Sequence, residues 1–175
     1  MGAVRGDLHV HIETARLHLS PATGAVGDAD GRFHIVDRHS RRPLGRIALR
    51  ASRHSRVRGL ELSYAVAEAH RRRGFCAEAA HALVGHALEH GLTGRVYAST
   101  AWSNLASRRV LAGLGMQQLD IAMLDWESLQ GDVDLGAESE ADLTPYARVE
   151  YELHRADWLA RLAAERPPFR AARPA

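Results

Sequence analysis

The segment from Leu60 to His90 constrains the fold most, because its periodicity changes partway along. Leu60, Leu62, Tyr64 and Val66 alternate with Glu61, Ser63, Ala65 and Ala67, the period of a half-buried strand. Beyond 71-RRRG-74 the period lengthens. Ala79, Ala80, Leu83, Val84, Ala87 and Leu88 recur at helical spacing. They predict a helix from about Ala77 to His90, with Gly91 as its stop. A strand followed by a tight, arginine-rich turn and an amphipathic helix is an α/β unit.

That turn also carries chemistry. A helix start leaves backbone N–H groups unbonded and holds a partial positive charge of about half a unit. Gly74 lets the chain turn tightly enough to aim several of those groups at one point, and Cys76 and Ala77 are small enough for a ligand to approach. Arg71, Arg72 and Arg73 can add charge-assisted bonds to phosphate oxygens. The anion that fits best is a diphosphate. Taken alone, the same residues also read as a solvated turn.

The remaining elements predict a mixed sheet. Thr14 to Leu19 reads as a strand after a lead-in at Leu8 to Ile12, and Ser20 to Gly31 reads as a loop. Phe33 to Val36 and Leu44 to Leu49 are strands joined by 38-RHSRRP-43, and Arg95 to Thr100 is another. Asn104 caps a helix expected to bury Leu105, Val110, Leu111 and Leu114 before Gly115 ends it. Met116 to Asp125 and Tyr146 to Leu153 are the last strands, and Trp158, Leu159 and Leu162 lie on a closing helix. We expect a single domain over residues 1–165 and a flexible tail over 166–175.

Composition narrows the function classes. The chain has 175 residues, a formal net charge of +2 and a charged fraction of 25%. No apolar run approaches the ~20 residues of a membrane span, and MGAVRGDLHVHIE lacks the apolar core of a secretion signal. The expected location is the cytoplasm. The lone Cys76 precludes an internal disulfide. His86 and His90 share a helix face but lack a third ligand, so no metal is expected. The basic segments 38-RHSRRPLGR-46 and 50-RASRHSRVRG-59 contain no interleaved aromatic for base stacking, so nucleic acid is not expected as a partner. From Ile121 to Ala147 there is no basic residue, while seven acidic ones fall between Asp125 and Asp142. That segment either draws in a cationic acceptor or is a solvated loop.

The stretch 61-ELSYAVAEAHRRRGFCAEA-79 resembles the acetyl-CoA-binding motif of the GNAT N-acetyltransferases, in particular the RimJ/RimL-like branch. The block 104-NLASRRVLAGLGM-116 resembles the family's Asn-x-x-Ser followed by a helix ending in Leu-Gly-Phe, and 14-TARLHLS-20 and Leu44-Gly45 also fit. The resemblance runs from about Thr14 to Trp158 and implies a mixed, mainly antiparallel twisted sheet flanked by helices. Cys76 stands where the family has Gly or Ala, and Met116 where it has Phe. The two helices that usually follow the first strand and wall the acceptor pocket are shortened or absent here.

The resemblance implies an acetyl-CoA-dependent N-acetyltransferase moving an acetyl group directly to a primary amine, such as a protein N-terminus, an amino sugar or another small cationic amine. A homodimer is implied as well. The pantetheine arm would pair with backbone near Val66, and the diphosphate would sit on the N–H groups of Arg71, Arg72, Arg73, Gly74, Phe75, Cys76 and Ala77. Glu61 is the candidate base; its alternative is an exposed strand carboxylate paired with arginine. Ser107 is the candidate thiol partner and acid; its alternative is a local bond to backbone. Asn104 would cap its helix and touch the pantetheine. Tyr64 either donates to the thiolate or is core. Cys76 would lie at the diphosphate end, away from the thioester, and serve by being small. The rival class is a non-catalytic acyl-CoA sensor of the same fold.

Overall fold

The structure is a computed structural model that describes residues 10–22, 31–52, 59–123 and 147–165. The strands are β1 (Ile12–Glu13), β2 (Leu17–Pro21), β3 (Arg32–Asp37), β4 (Pro43–Ala51), β5 (Leu60–Val66), β6 (Arg95–Ala101), β7 (Gln117–Met123) and β8 (Ala147–His154). The helices are α1 (Phe75–Glu89), α2 (Leu105–Gly113) and α3 (Arg155–Glu165), with a short 3-10 turn over Glu68–His70. The described strands form an eight-stranded sheet in the order β1-β2-β3-β4-β5-β6-β8-β7. Every pairing is antiparallel except β5 with β6. This is the mixed, mainly antiparallel α/β sheet that the sequence predicts.

Strand alternation sorts the side chains onto two faces. Leu17, Leu19, Phe33, Ile35, Ile47, Leu49, Leu62, Val96, Val149 and Leu153 point to one face and join a single core with all three helices. The six apolar residues predicted to line the buried stripe of α1 are all fully buried. Trp158 of α3 is also buried; it packs so closely on Gly85 that a Cβ there would meet its ring, and its Nε1 donates to Glu89 at 3.2 Å. Arg155 Nε donates to the Leu88 carbonyl at 2.7 Å, placing a cation at the negative end of α1. The opposite sheet face carries Arg46, Arg50, Glu61, Ser63, Tyr97, Ser99, Glu150 and Glu152 by register.

Several expected boundaries move, each for a local reason. The first strand begins at Leu17 rather than Thr14. Residues 14–16 form a turn in which Thr14 N–H donates to the Leu17 carbonyl and Thr14 Oγ1 accepts from Leu17 N–H. The expected lead-in is a short paired strand, Ile12–Glu13, as far as it is described. Helix α1 begins at Phe75, two residues before the expected Ala77. Gly74 takes the left-handed conformation (φ 78°), which puts the reversal one residue before Phe75 and its buried ring. Leu105 is 57% exposed, not buried. Leu111 and Leu114 set the core face of α2, and Ser107 lies one turn before Leu111; Leu105 is two residues from Ser107 and therefore near the far side of the cylinder. The chain passes from β2 to β3 through residues 22–31, and Pro21 pairs with Phe33. The acidic segment, the tail and most of that connection lie outside the described residues.

Candidate active site

The site grows from an interruption in the sheet. β5 and β6 pair only at Leu60–Val96 and Glu61–Tyr97, whereas β5 continues paired to β4 as far as Val66. Beyond Glu61 the two strands therefore leave β5 with one unpaired edge. Ala67 N–H donates to Leu44 of β4. One residue earlier, Val66 directs its backbone groups the other way, into the gap, because strand amides alternate sides. There the Val66 carbonyl accepts from Arg71 Nε at 3.1 Å. Gly45 makes the β4–β5 approach practicable, since a Cβ there would collide with the Ala65 carbonyl.

One end of the gap meets the start of α1. Arg72 and Gly74 both take positive φ (60° and 78°), and this double reversal turns the chain out of the 3-10 turn and into the helix. Glu78 N–H closes the first helical bond onto the Gly74 carbonyl. The N–H groups of Phe75, Cys76 and Ala77 precede that bond, and no side chain caps them. Arg16 and Arg73 lie over the Phe75 ring at 4.8 and 5.2 Å from its centroid. Arg71, Arg72 and Arg73 are exposed, so their charges remain accessible. His70 Nδ1, in the same turn, is buried without a hydrogen-bond partner among the described residues.

Glu78 would oppose an anion here were it not neutralised. It accepts from Thr14 Oγ1, from Arg16 N–H at 3.0 Å and from Arg16 Nε at 2.7 Å. Burial alone would raise its pKa; those hydrogen bonds and the Arg16 charge outweigh burial and hold it below the ordinary carboxylate value. Arg16 Nη1 also donates to the Arg73 carbonyl at 3.0 Å, so the first hairpin braces the turn. The sequence reading missed this brace. Its one local signal is an acidic residue in the first turn of a helix.

The other side of the gap is α2. Asn104 Oδ1 accepts from Ser107 N–H at 3.0 Å, the predicted cap. Ser107 Oγ is not spent on backbone: it lies 2.8 Å from the Tyr64 hydroxyl. Tyr64 thus reaches from β5 across to α2 with its body against the core and its hydroxyl at Ser107. Burial pushes the Tyr64 pKa up to about 12, so it stays a neutral donor near pH 7. A Cys76 thiolate would push that value further up. Burial likewise pushes the Cys76 thiol up to about 12, which keeps it protonated and a poor nucleophile.

Glu61 stands at the last β5–β6 pair, where the gap opens, on the sheet face away from the helices. It is half-buried, with Arg50 opposite it on β4 and Tyr97 beside it on β6. The sequence-predicted residues therefore converge on one opening. The Arg71–Ala77 turn lies at one end, Val66 on the edge, Tyr64, Ser107 and Asn104 on the helix side, and Glu61 at the mouth on the other face.

Residues 10–117 match the family model described as the acetyltransferase (GNAT) domain. The chain belongs to the GNAT acetyltransferases. Members of this family transfer acetyl groups from acetyl-CoA. Among solved structures, the GNAT chain is similar to a protein described as a GNAT-family acetyltransferase from Bordetella pertussis, at 22% identity and a TM-score of 0.61, covering 82% of this chain and 98% of that one. It is similar also to a protein described as a ribosomal-protein-serine acetyltransferase from Vibrio cholerae, at 16% identity and a TM-score of 0.58, covering 83% and 97%. A third is a ribosomal-protein alpha-N-acetyltransferase, RimL, in complex with coenzyme A joined to a cysteine as a disulfide, at 14% identity and a TM-score of 0.53, covering 73% and 62%. A search of curated proteins returns no significant match. Among the described residues no helix is long and apolar enough to cross a membrane.

Proposed function

We propose that this GNAT protein is an acetyl-CoA-dependent N-acetyltransferase that passes the acetyl group directly to a primary amine, in the manner of the RimJ/RimL-like branch. The observation that carries the reading is the gap beyond the Glu61–Tyr97 pair, with uncapped amides at one end and a hydroxyl pair on its wall. Acetyl-CoA supplies the acetyl group as a thioester. The amides of Phe75, Cys76 and Ala77, with Arg71, Arg72, Arg73 and the Gly74 turn, hold its diphosphate. Val66 offers strand-like hydrogen bonds to the pantetheine amides once Arg71 lets go of the Val66 carbonyl, and Asn104 borders the arm.

The remaining chemistry belongs to side chains. An amine acceptor arrives protonated and must lose a proton before it attacks. Glu61 takes that proton, directly or through one water. Ser107 donates a hydrogen bond to the departing thiolate, and Tyr64 orients and backs its hydroxyl. The acceptor approaches the sheet face that bears Glu61, and the sequence allots only residues 22–31 to the connection where the family usually has two helices walling this pocket. That short connection also favours the second reading, an acyl-CoA sensor that does not transfer.

One experiment separates the two readings. Coenzyme A release from acetyl-CoA is followed with a panel of N-terminal peptides, amino sugars and polyamines, alongside calorimetry with acetyl-CoA. Amine-dependent release, lowered about a hundredfold by Glu61→Gln, supports the transferase. Tight binding without release from any amine supports the sensor, and absence of binding removes both.

A further inference from the structure

A second opening lies on the flank of α2 that faces the edge of the sheet. It is a cavity of about 400 Å³ bounded by α2, the edge strand β7 and Tyr151 of β8. Leu105, Arg108, Arg109 and Ala112 line it from α2 at spacings of three and four, so they form one stripe. Ser107 faces Tyr64 on the gap side, and Leu111 and Leu114 face the core, so this stripe serves neither. Three neutral groups hold Arg108 in place. Its Nε donates to the Tyr151 hydroxyl at 3.4 Å, its Nη1 donates to the Trp102 carbonyl at 3.3 Å, and its Cζ lies 4.2 Å from the centroid of the Trp102 ring. Arg16, Arg38, Arg95 and Arg161 each pair with a carboxylate; among the described residues none pairs with Arg108 or Arg109. Arg108 is half-buried, and a partly desolvated cation without a counter-charge is costly until an anion completes it.

We propose that this cavity binds a small carboxylate carried on an apolar body. Among the described residues nothing bonds Arg108 Nη2, and a planar guanidinium matches a carboxylate with two parallel hydrogen bonds. Arg109, the next residue and exposed, adds a second positive charge to the lining. Leu105, Ala112 and Met116 supply an apolar wall. Leu105 is one of the two large apolar side chains left exposed among the described residues, so an alkyl or aromatic group laid over it removes apolar surface from water. An inorganic anion would meet the arginines but gain nothing from that wall, which is why the ligand class is an apolar acid. The volume falls toward the lower end of small-molecule sites, about 300–1,000 Å³. The contacts on Arg108 fix its side chain before a ligand arrives, so little freedom is lost on binding. The cavity is separate from the gap assigned to acetyl-CoA, and the inference does not depend on the transferase reading.

Calorimetry on the full chain, with and without coenzyme A, tests this. The probes are hexanoate and 3-phenylpropionate, with their primary amides as uncharged controls and inorganic phosphate as the bare anion. At least one of the acids is expected to bind once per chain with a Kd below about 1 mM, about tenfold or more tighter than its amide and than phosphate. Coenzyme A should not displace it. Arg108→Met keeps the apolar stem and should weaken the acid about tenfold or more. Leu105→Ser, at an exposed position, should weaken it about threefold. Absence of binding by both acids at about 10 mM would overturn the inference. So would equal affinity for acid and amide, equal affinity for phosphate, displacement by coenzyme A, or wild-type affinity in either variant. Should Arg108→Met misfold, Leu105→Ser and Arg109→Gln, both at exposed positions, decide the matter: each is expected to weaken the acid about threefold, and wild-type affinity in both overturns the site.

Discussion

At the scale of single residues, chemistry here is set by what each side chain is folded against. Ser107 shows this best: its sequence position fits a local backbone bond, yet its hydroxyl meets Tyr64 at 2.8 Å. Cys76 shows the opposite case, a group that invites a role and is denied it. A helix start ordinarily lowers a thiol pKa, but burial dominates and raises this one to about 12. At pH 7.5 the thiol is almost entirely protonated. Alkylation of native Cys76 by iodoacetamide should therefore be slow, and should accelerate sharply once denaturant exposes the thiol. Complete labelling of the native protein within minutes would contradict this. Ser107's partner is distant in sequence and was not legible in 104-NLAS-107, whereas for Cys76 the resemblance already implied a merely small residue and only the burial that keeps its thiol protonated came from the fold.

Among elements, the junction of β5 and α1 does most to shape the site. Gly74 is needed there for its φ of 78°, and a Cβ would also come within 3.3 Å of Arg16 Nη2. Gly74→Ala should cost about 1 kcal/mol of stability, measured by denaturant unfolding, and should weaken acetyl-CoA binding more than that loss explains. The second effect is expected because strain at Gly74 re-aims the amides of Phe75, Cys76 and Ala77. Asn104→Ala, by contrast, removes a cap at the other helix and should likewise cost about 1 kcal/mol. Both helices were readable from sequence because turn and cap preferences are local. Their first residues were less so: α1 starts at Phe75 because of Gly74's backbone, and Leu105 faces outward because Leu111 and Leu114 fix the rotation of α2.

Over the whole molecule, the first hairpin and α1 are joined through one carboxylate. Glu78 ties Thr14 and Arg16 to the helix across more than sixty residues of sequence. Its folded pKa lies below the unfolded value, so its contribution to stability is present above about pH 4.5 and is lost as pH falls through the lower folded value. Thermal melts from pH 6 to pH 3 should show a falling melting temperature, and Glu78→Gln should make that fall shallower. It will not abolish the fall, since Asp37 and Glu152 are also lowered: hydrogen bonds to the Ser40 amide and side chain dominate for Asp37, while for Glu152 burial opposes the shift and His154 and Arg95 outweigh it. The sequence alone determined the order of strands and helices, the buried stripe of α1, the cap at Asn104 and membership of an α/β class, because periodicity and capping are properties of neighbours along the chain. Only the tertiary structure decided that β5 and β6 part after Glu61, that Tyr64 reaches Ser107, and that Arg16 braces the Arg73 turn. Those are relations across the sheet, where pairing register and burial choose the partners and no spacing in the sequence encodes them.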